Sequence, residues 1–395
     1  MHRRKFLVTA GAATLVAASG EIWLACEAGS LRPLEGAAYS AWSQWSRGGE
    51  PGPIRLLRSA VLASSPHNTQ PWRFRVTPSR VELYLDAKRS VAGLDPYLRE
   101  AHIGMGCALE NLLLAAAANG YSANVSWNEG SLEGNYAESS LRQVAWVELS
   151  TGTPHETALY KAIPDRHTNR SLYDPAKPLP ANFASQLLAA CDLGPDIRMF
   201  LVSDQAERRL LTSINSAANT QLYSDPKVES GSEQWIRWRD ADIRKYQDGL
   251  TVDNFGLSPF MTAVAKSSPL WLLHRAASPS SRKSIYEKQM LSAQLMSIIA
   301  VRDRLDRRQS LLAGQMWQRA HLFATTQGVA AHPGNEAIEM IDYEKASDQP
   351  AKRMTQLQQL IGNAVWQPTF LFLLGYPTLP AHLSPRRPAE TVQLA

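Results

Sequence analysis

Two short-range rhythms of apolar and polar positions run along the chain. From Arg73 to Val76 and from Val81 to Leu85 the two kinds alternate, the period of a half-buried strand, and Thr77-Pro78-Ser79 between them supplies a turn. Ile54, Leu57 and Val61 fall at helical spacing and predict a short helix, broken by Ser64-Ser65-Pro66. Residues 101–118 form the longest apolar helix of the first half, and Gln143 to Leu149 reads as another strand. Further on, strands are predicted at Ile197 to Val202 and Thr369 to Gly375. Strands interleaved with helices throughout predict an α+β fold.

A longer period lies beneath these. The stretch from Gly106 to Gly120 and the stretch from Gly314 to Gly328 have the same length, and at one constant offset of 208 Leu114 matches Leu322 and Ala116 matches Ala324. Each reads as a helix with small residues on one face, suited to close packing, and a glycine that ends it in the left-handed conformation. An interval of 208 residues is the size of one domain. Two related halves are therefore expected, residues 54–162 and 163–395, after an irregular lead-in at 29–53 that contains Trp42 and Trp45. A segment at about 225–285 has no counterpart in the first half; it is crowded with Trp235, Trp238, Tyr246, Phe255 and Phe260 and broken at Asp248-Gly249 and Ser278-Pro279-Ser280. Such an insertion is too apolar to dangle in water, so it reads as a lid, or else as a packed helical hairpin.

Charge changes the picture mainly at the N-terminus. The first twenty residues hold Arg3, Arg4 and Lys5 and no acid, followed by an uncharged stretch from Phe6 to Gly20 that is too short and mild for a membrane span. Arg3-Arg4-Lys5-Phe6-Leu7 resembles a twin-arginine export signal, which implies passage through the twin-arginine machinery and a periplasmic location, with residues 1–28 as the signal segment. Leu24-Ala25-Cys26 weakly resembles a lipid-attachment box, which makes Cys26 an alternative lipid anchor to simple cleavage. Without the first twenty residues, 38 Lys and Arg face 36 Asp and Glu, so the basic balance belongs mostly to the signal. Nothing then calls for a nucleic-acid partner. Three scattered cysteines exclude a disulfide framework, and nine histidines without H-x-x-x-H spacing leave a metal site unsupported.

Three motifs carry chemistry. In Ser64-Ser65-Pro66-His67-Asn68-Thr69-Gln70-Pro71-Trp72 the prolines hold a loop extended while Ser, Asn and Gln offer groups able to pair with a heteroaromatic edge or a polyol. In Asp165-Arg166-His167-Thr168-Asn169-Arg170 two guanidinium forks and a hydroxyl within five residues suit a phosphate. The chain closes on Leu374-Gly375-Tyr376-Pro377 and the basic Ser384-Pro385-Arg386-Arg387-Pro388. Cys107, on an apolar helix, reads as a core residue, and no residue presents itself as a general acid or nucleophile.

Together these motifs resemble the nitroreductase family, and the Acg-like subfamily along most of residues 54–395. The resemblance implies two nitroreductase-like halves packed as an intramolecular pseudo-dimer, monomeric, with one FMN per chain. It implies flavin contacts from Ser64, Ser65, Asn68 and Gln70, phosphate contacts from Arg166, Thr168, Arg170 and Arg386 or Arg387, and a loop at the flavin's N5 edge from His332 to Asn335, including Gly334. The reciprocal site lacks its motifs: Arg55-Leu56-Leu57-Arg58 is no arginine opening, and Asn219-Thr220-Gln221-Leu222 lacks Pro-Trp and sits in a helical context. The implied function is reduction of a small nitro, quinone or similar acceptor through the flavin. The alternative is an FMN-sequestering protein whose lid keeps nicotinamide away, and a third reading is an enzyme fed by another donor.

Overall fold

Alternation along Trp72–Thr77 (β1) and Arg80–Asp86 (β2) buries Val81, Leu83 and Leu85 completely on one face of a sheet, and Pro78 and Ser79 alone join the two strands. In this computed structural model, which describes residues 36–46, 52–132, 141–269 and 279–394, β1 and β2 belong to a four-stranded antiparallel sheet. After helix α1 (Arg99–Ala118), strands β3 (Tyr121–Trp127) and β4 (Leu141–Thr151) complete the sheet in the order β1-β2-β4-β3. The expected signal at 1–28, with Cys26, and part of the lead-in lie outside the described residues.

The second half repeats this plan. Strand β5 (Ile197–Val202) is followed by helix α2 (Gln205–Leu222), then β6 (Leu295–Val301), helix α3 (Arg307–Thr326), β7 (Ala330–Pro333), helix α4 (Glu336–Ala346) and β8 (Gln367–Gly375). Its sheet is again antiparallel throughout, in the order β5-β6-β8-β7. Strand, strand, long helix, strand, strand thus occurs twice with one strand order. The fold is α+β, as expected.

The two long helices cross at their glycines. A Cβ on Gly106 would stand 2.0 Å from the Leu311 carbonyl oxygen, and one on Gly314 would stand 1.9 Å from that of Ile103. The contact is reciprocal, because Ile103 and Leu311 are separated by the same 208 residues as the two glycines. Only residues without side chains allow backbones this close. Past the helix ends Gly120 and Gly328 take φ of +77° and +65°, the left-handed cap predicted for both. Helix α1 is long and apolar enough to cross a membrane by composition alone, yet most of it is buried between the two halves of one continuous core that reaches from Leu83 to Phe372.

Material without a counterpart is longer than expected, running from 203 to 294 between β5 and β6. It contains helices at Pro226–Glu233, Asp240–Tyr246, Pro259–Ser267 and Pro279–Ser292, and a two-residue parallel pairing of Ile236–Arg237 with Leu250–Thr251. It is docked. Asp248, 2% exposed, accepts from Arg237 Nε (2.9 Å) and Nη2 (2.6 Å) within the insertion and from Arg89 of the first half.

Candidate functional site

Three non-glycine residues in the loop before β1, His67, Asn68 and Gln70, take positive φ of 45°, 56° and 53°. Each such conformation costs on the order of 1 kcal/mol and persists only where the surroundings enforce it. Asn68 Nδ2 donates to the carbonyls of Gly249 (3.0 Å) and Pro385 (2.9 Å), and its Oδ1 accepts from Arg386. The Gln70 backbone N–H donates to Ser65 Oγ (3.0 Å), and its side chain donates to the Gln247 carbonyl (2.9 Å) and accepts from the Arg387 N–H (2.8 Å). His67 Nε2 pairs with Ser232 Oγ at 2.7 Å. Insertion and C-terminal segment therefore clamp the loop from two sides.

Behind the loop sits Arg166, 2% exposed. Its guanidinium donates to Ser64 Oγ (2.9 Å), the Leu62 carbonyl (2.9 Å) and His321 Nδ1 (3.2 Å). His321 Nε2 donates in turn to the His167 carbonyl (3.2 Å), so the imidazole carries its proton on Nε2 and is neutral. Burial and the Arg166 charge hold His321 well below its ordinary value. Arg386, 3% exposed, donates to Ser384 Oγ (2.8 Å) and lies over the Trp42 ring at 4.9 Å. Arg170 donates to the Asn254 carbonyl (3.1 Å). Burial lowers Arg166 and Arg170 to about 10, and burial with the neighbouring Arg166 holds Arg386 well below its ordinary value. Among the described residues none of the three pairs with a carboxylate, and the Nε atoms of Arg166 and Arg386 are buried without a partner.

These arginines form one side of a cavity of about 230 Å³. Acids line it as well: Glu100 at the start of α1, with Glu336 and Glu339 in the first turn of α4. Glu100 accepts from Asn335 Nδ2 (3.0 Å), and Glu336 accepts from Asn215 Nδ2 (3.0 Å) and from Tyr286. Desolvation raises all three carboxyls above the ordinary range. Trp317 and Phe370 supply apolar wall.

Of the residues anticipated from sequence, Ser64, Ser65, Asn68, Arg166, Thr168, Arg170, His332 and Arg386 line this single cavity. Three others do not. Gln70 is fully buried and ties the loop to the insertion and to the C-terminal segment. Arg387 turns away to the carbonyls of Gln70 and Trp72 (3.2 Å), which leaves Arg386 as the C-terminal arginine of the cavity. The Gly334 N–H donates to the Leu371 carbonyl (2.8 Å), so it faces no ligand edge. Asn68 also differs from expectation, since its amide is committed to protein partners. Cys107 touches the cavity, but its thiol is buried, pushed up by desolvation and donates to the Gly314 carbonyl. His321 and the three glutamates were not marked by any motif.

No family model matches the chain. A Mycobacterium tuberculosis protein provisionally named an NAD(P)H nitroreductase is 34% identical over 121 residues, covering 30% of this chain and 33% of its own. Another from the same organism, provisionally named NAD(P)H nitroreductase acg, is 42% identical over 74 residues, covering 18% and 22%. The matched region spans about a third of the length of these relatives at most. Among solved nitroreductases, an FMN-dependent one from Mycobacterium smegmatis in complex with NADPH is similar at 14% identity over 59% of this chain and 96% of that one, with a TM-score of 0.37. One from Desulfitobacterium hafniense with bound FMN gives 14% identity over 58% and 95%, with a TM-score of 0.33.

Proposed function

We propose that the cavity holds one FMN per chain with its phosphate against Arg166, Arg170 and Arg386, and that the protein is a nitroreductase-type oxidoreductase reducing small nitro, quinone or similar acceptors. The observation that carries this reading is the gathering of three guanidiniums in one cavity with no carboxylate partner among the described residues. Burying like charges is costly unless an anion completes them, and a phosphate offers two charges and acceptors matched to guanidinium forks. The buried, unpartnered Nε atoms of Arg166 and Arg386 fit such a group.

Each residue has a definite part. Arg166 is oriented by Ser64, Leu62 and His321, which leaves its Nε as a donor; Arg386 is fixed by the loop at Asn68 and by Ser384. Thr168 sits between the first two arginines in sequence and reaches the same cavity. Trp317 and Phe370 exclude water from the apolar wall. His332, which burial holds well below its ordinary value, is neutral and has Nδ1 unpartnered, a hydrogen-bonding group for a ring edge. FMN, when bound, would supply the redox chemistry, taking two electrons from a donor and passing them to the acceptor.

The repeated strand order and the reciprocal glycine crossing support a fused pseudo-dimer that works as a monomer. Export by the twin-arginine route to the periplasm is part of the proposal, supported by Arg3-Arg4-Lys5. Tyr223, Leu250 and Asn254, all from the insertion, line the cavity and favour a covered flavin as the second reading. An anaerobic absorption spectrum separates the readings. A flavin band near one equivalent that NADPH or NADH bleaches supports the enzyme; a band that only dithionite bleaches supports storage or another donor. A protein that is colourless and takes up no FMN overturns both.

A further inference from the structure

The acidic part of the cavity holds more carboxyl groups than the protein pairs among the described residues. Glu100, Glu336 and Glu339 line the cavity, Asp95 and Asp342 are electrostatically coupled to them from outside its lining, and the cations facing them are Arg99 and Arg304. Those two are already engaged: Arg99 Nε meets Asp342 at 2.7 Å and its Nη2 stands 3.6 Å from Glu100, while Arg304 Nη2 meets Asp342 at 3.2 Å. Asp95 accepts from the backbone N–H groups of Glu100 (3.1 Å) and Ala101 (2.9 Å), and Glu100 and Glu336 have the donors named above. Glu339 alone has none among the described residues. It is 7% exposed and lines the cavity; its backbone N–H donates to the Asn335 carbonyl (2.8 Å), but its carboxyl group makes neither a hydrogen bond nor an ion pair among the described residues.

A buried carboxylate without a donor is among the more costly arrangements a fold can contain. The three arginines do not relieve it, since none of them lies within ion-pair distance of a carboxylate among the described residues. A metal ion is a poor occupant, because no three acids or histidines among the described residues are placed to hold one. A flat organic cation suits the surroundings better: one end meets carboxylate, and the aromatic walls of Trp317 and Phe370 accommodate a ring.

We propose that Glu339, with Glu100 and Glu336 beside it, forms a subsite for the positively charged group of a small organic molecule, an ammonium or amidinium carried on an aromatic or planar body. Burial and the charges of Glu100, Glu336 and Asp95 raise the Glu339 carboxyl well above its ordinary value against the attraction of Arg99. A bound cation favours the ionised carboxylate, so binding is expected to release protons and to tighten as pH rises. This inference stands on the carboxylates and does not require the arginine side to hold a flavin.

Calorimetric titration of the full-length protein with benzamidine and with its neutral isostere benzamide tests it. Benzamidine is expected to bind at least about tenfold tighter than benzamide at pH 8.5, with the preference shrinking at pH 6. Titrations in two buffers of different ionisation enthalpy should show net proton release on benzamidine binding at pH 7. Glu339→Gln should abolish the preference and Glu339→Asp should keep part of it. Equal binding of the two ligands, binding of neither, no proton release, or an unchanged preference in Glu339→Gln would each overturn the proposal. The benzamide control and the proton count use the unaltered protein, so they decide the matter even if a variant does not fold.

Discussion

The two halves share a scaffold and differ in everything that builds the site. Each has four antiparallel strands in the same order around one long helix, and the two helices meet glycine to glycine. Yet Pro78 and Ser79 suffice to join β1 to β2, whereas residues 203–294 lie between β5 and β6. The first half supplies the strained loop at 64–70 and Glu100; the second supplies Arg166, Arg170, Arg386, Glu336 and Glu339. A duplicated frame thus need not yield two sites. Connecting segments diverge at little cost while the crossing helices cannot, and function collects where segments of both halves meet.

That contrast can be broken on either side. The largest effect is expected from removing what only one half has: Arg166→Ala with Arg170→Ala should weaken FMN binding by about 1000-fold, as losing two charge-assisted contacts of about 2 kcal/mol each would do. Fluorescence titration reads the affinity, and circular dichroism should show the fold intact. Next comes what the halves share. Gly314→Ala places a Cβ 1.9 Å from the Ile103 carbonyl oxygen, so it should cost about 3 kcal/mol in urea unfolding although alanine is the better helix former by about 1 kcal/mol. A variant as stable as the parent would show that the helices do not need this approach.

Smaller effects sharpen the picture. Asp248→Asn removes the anion between Arg89 and Arg237 and should cost about 2 kcal/mol, felt first as faster hydrogen exchange across 226–269. The smallest concerns pH. Glu100, Glu336 and Glu339 are raised in the folded state, so their contribution to stability is complete below the unfolded value of 4.5 and is lost as pH rises through the folded values. The buried histidines work in the opposite sense: His67 and His167 are lowered to about 4 and about 3, mainly by desolvation, so stability is lost as pH falls below 6.5. Between pH 7 and 8.5 the histidines are neutral in both states, and stability should fall by about 1 kcal/mol. Glu339→Gln should flatten that fall in urea titrations.

Much of this was legible because local rules governed it. Val81, Leu83 and Leu85 alternate as a half-buried strand must, and the glycines at 106, 120, 314 and 328 mark helices that pack closely and end in the left-handed region. The phosphate-suited arginines stand within five residues of each other, so a motif exposes them. Leu295–Val301 was harder: every residue is buried, so the central strand has no alternation to announce it. Tyr121–Trp127 shows the opposite defect, an edge strand too exposed for an apolar rhythm. Glu100 and Glu339 are 239 positions apart, and only the packing of α1 beside α4 brings them into one cavity. Gln70 and Arg387 have the right chemistry for a ligand, but the fold turns that chemistry inward to hold the loop.

The central claim is that three buried guanidiniums await a phosphate, and it is tested most directly by comparing the affinity of the flavin-free protein for FMN with its affinity for riboflavin, which has the same ring and ribityl chain without the phosphate. A preference for FMN of about 100-fold or more, diminished by salt and lost in the Arg166→Ala, Arg170→Ala variant, is the predicted result. Equal affinity for the two flavins, or none for either, would contradict it.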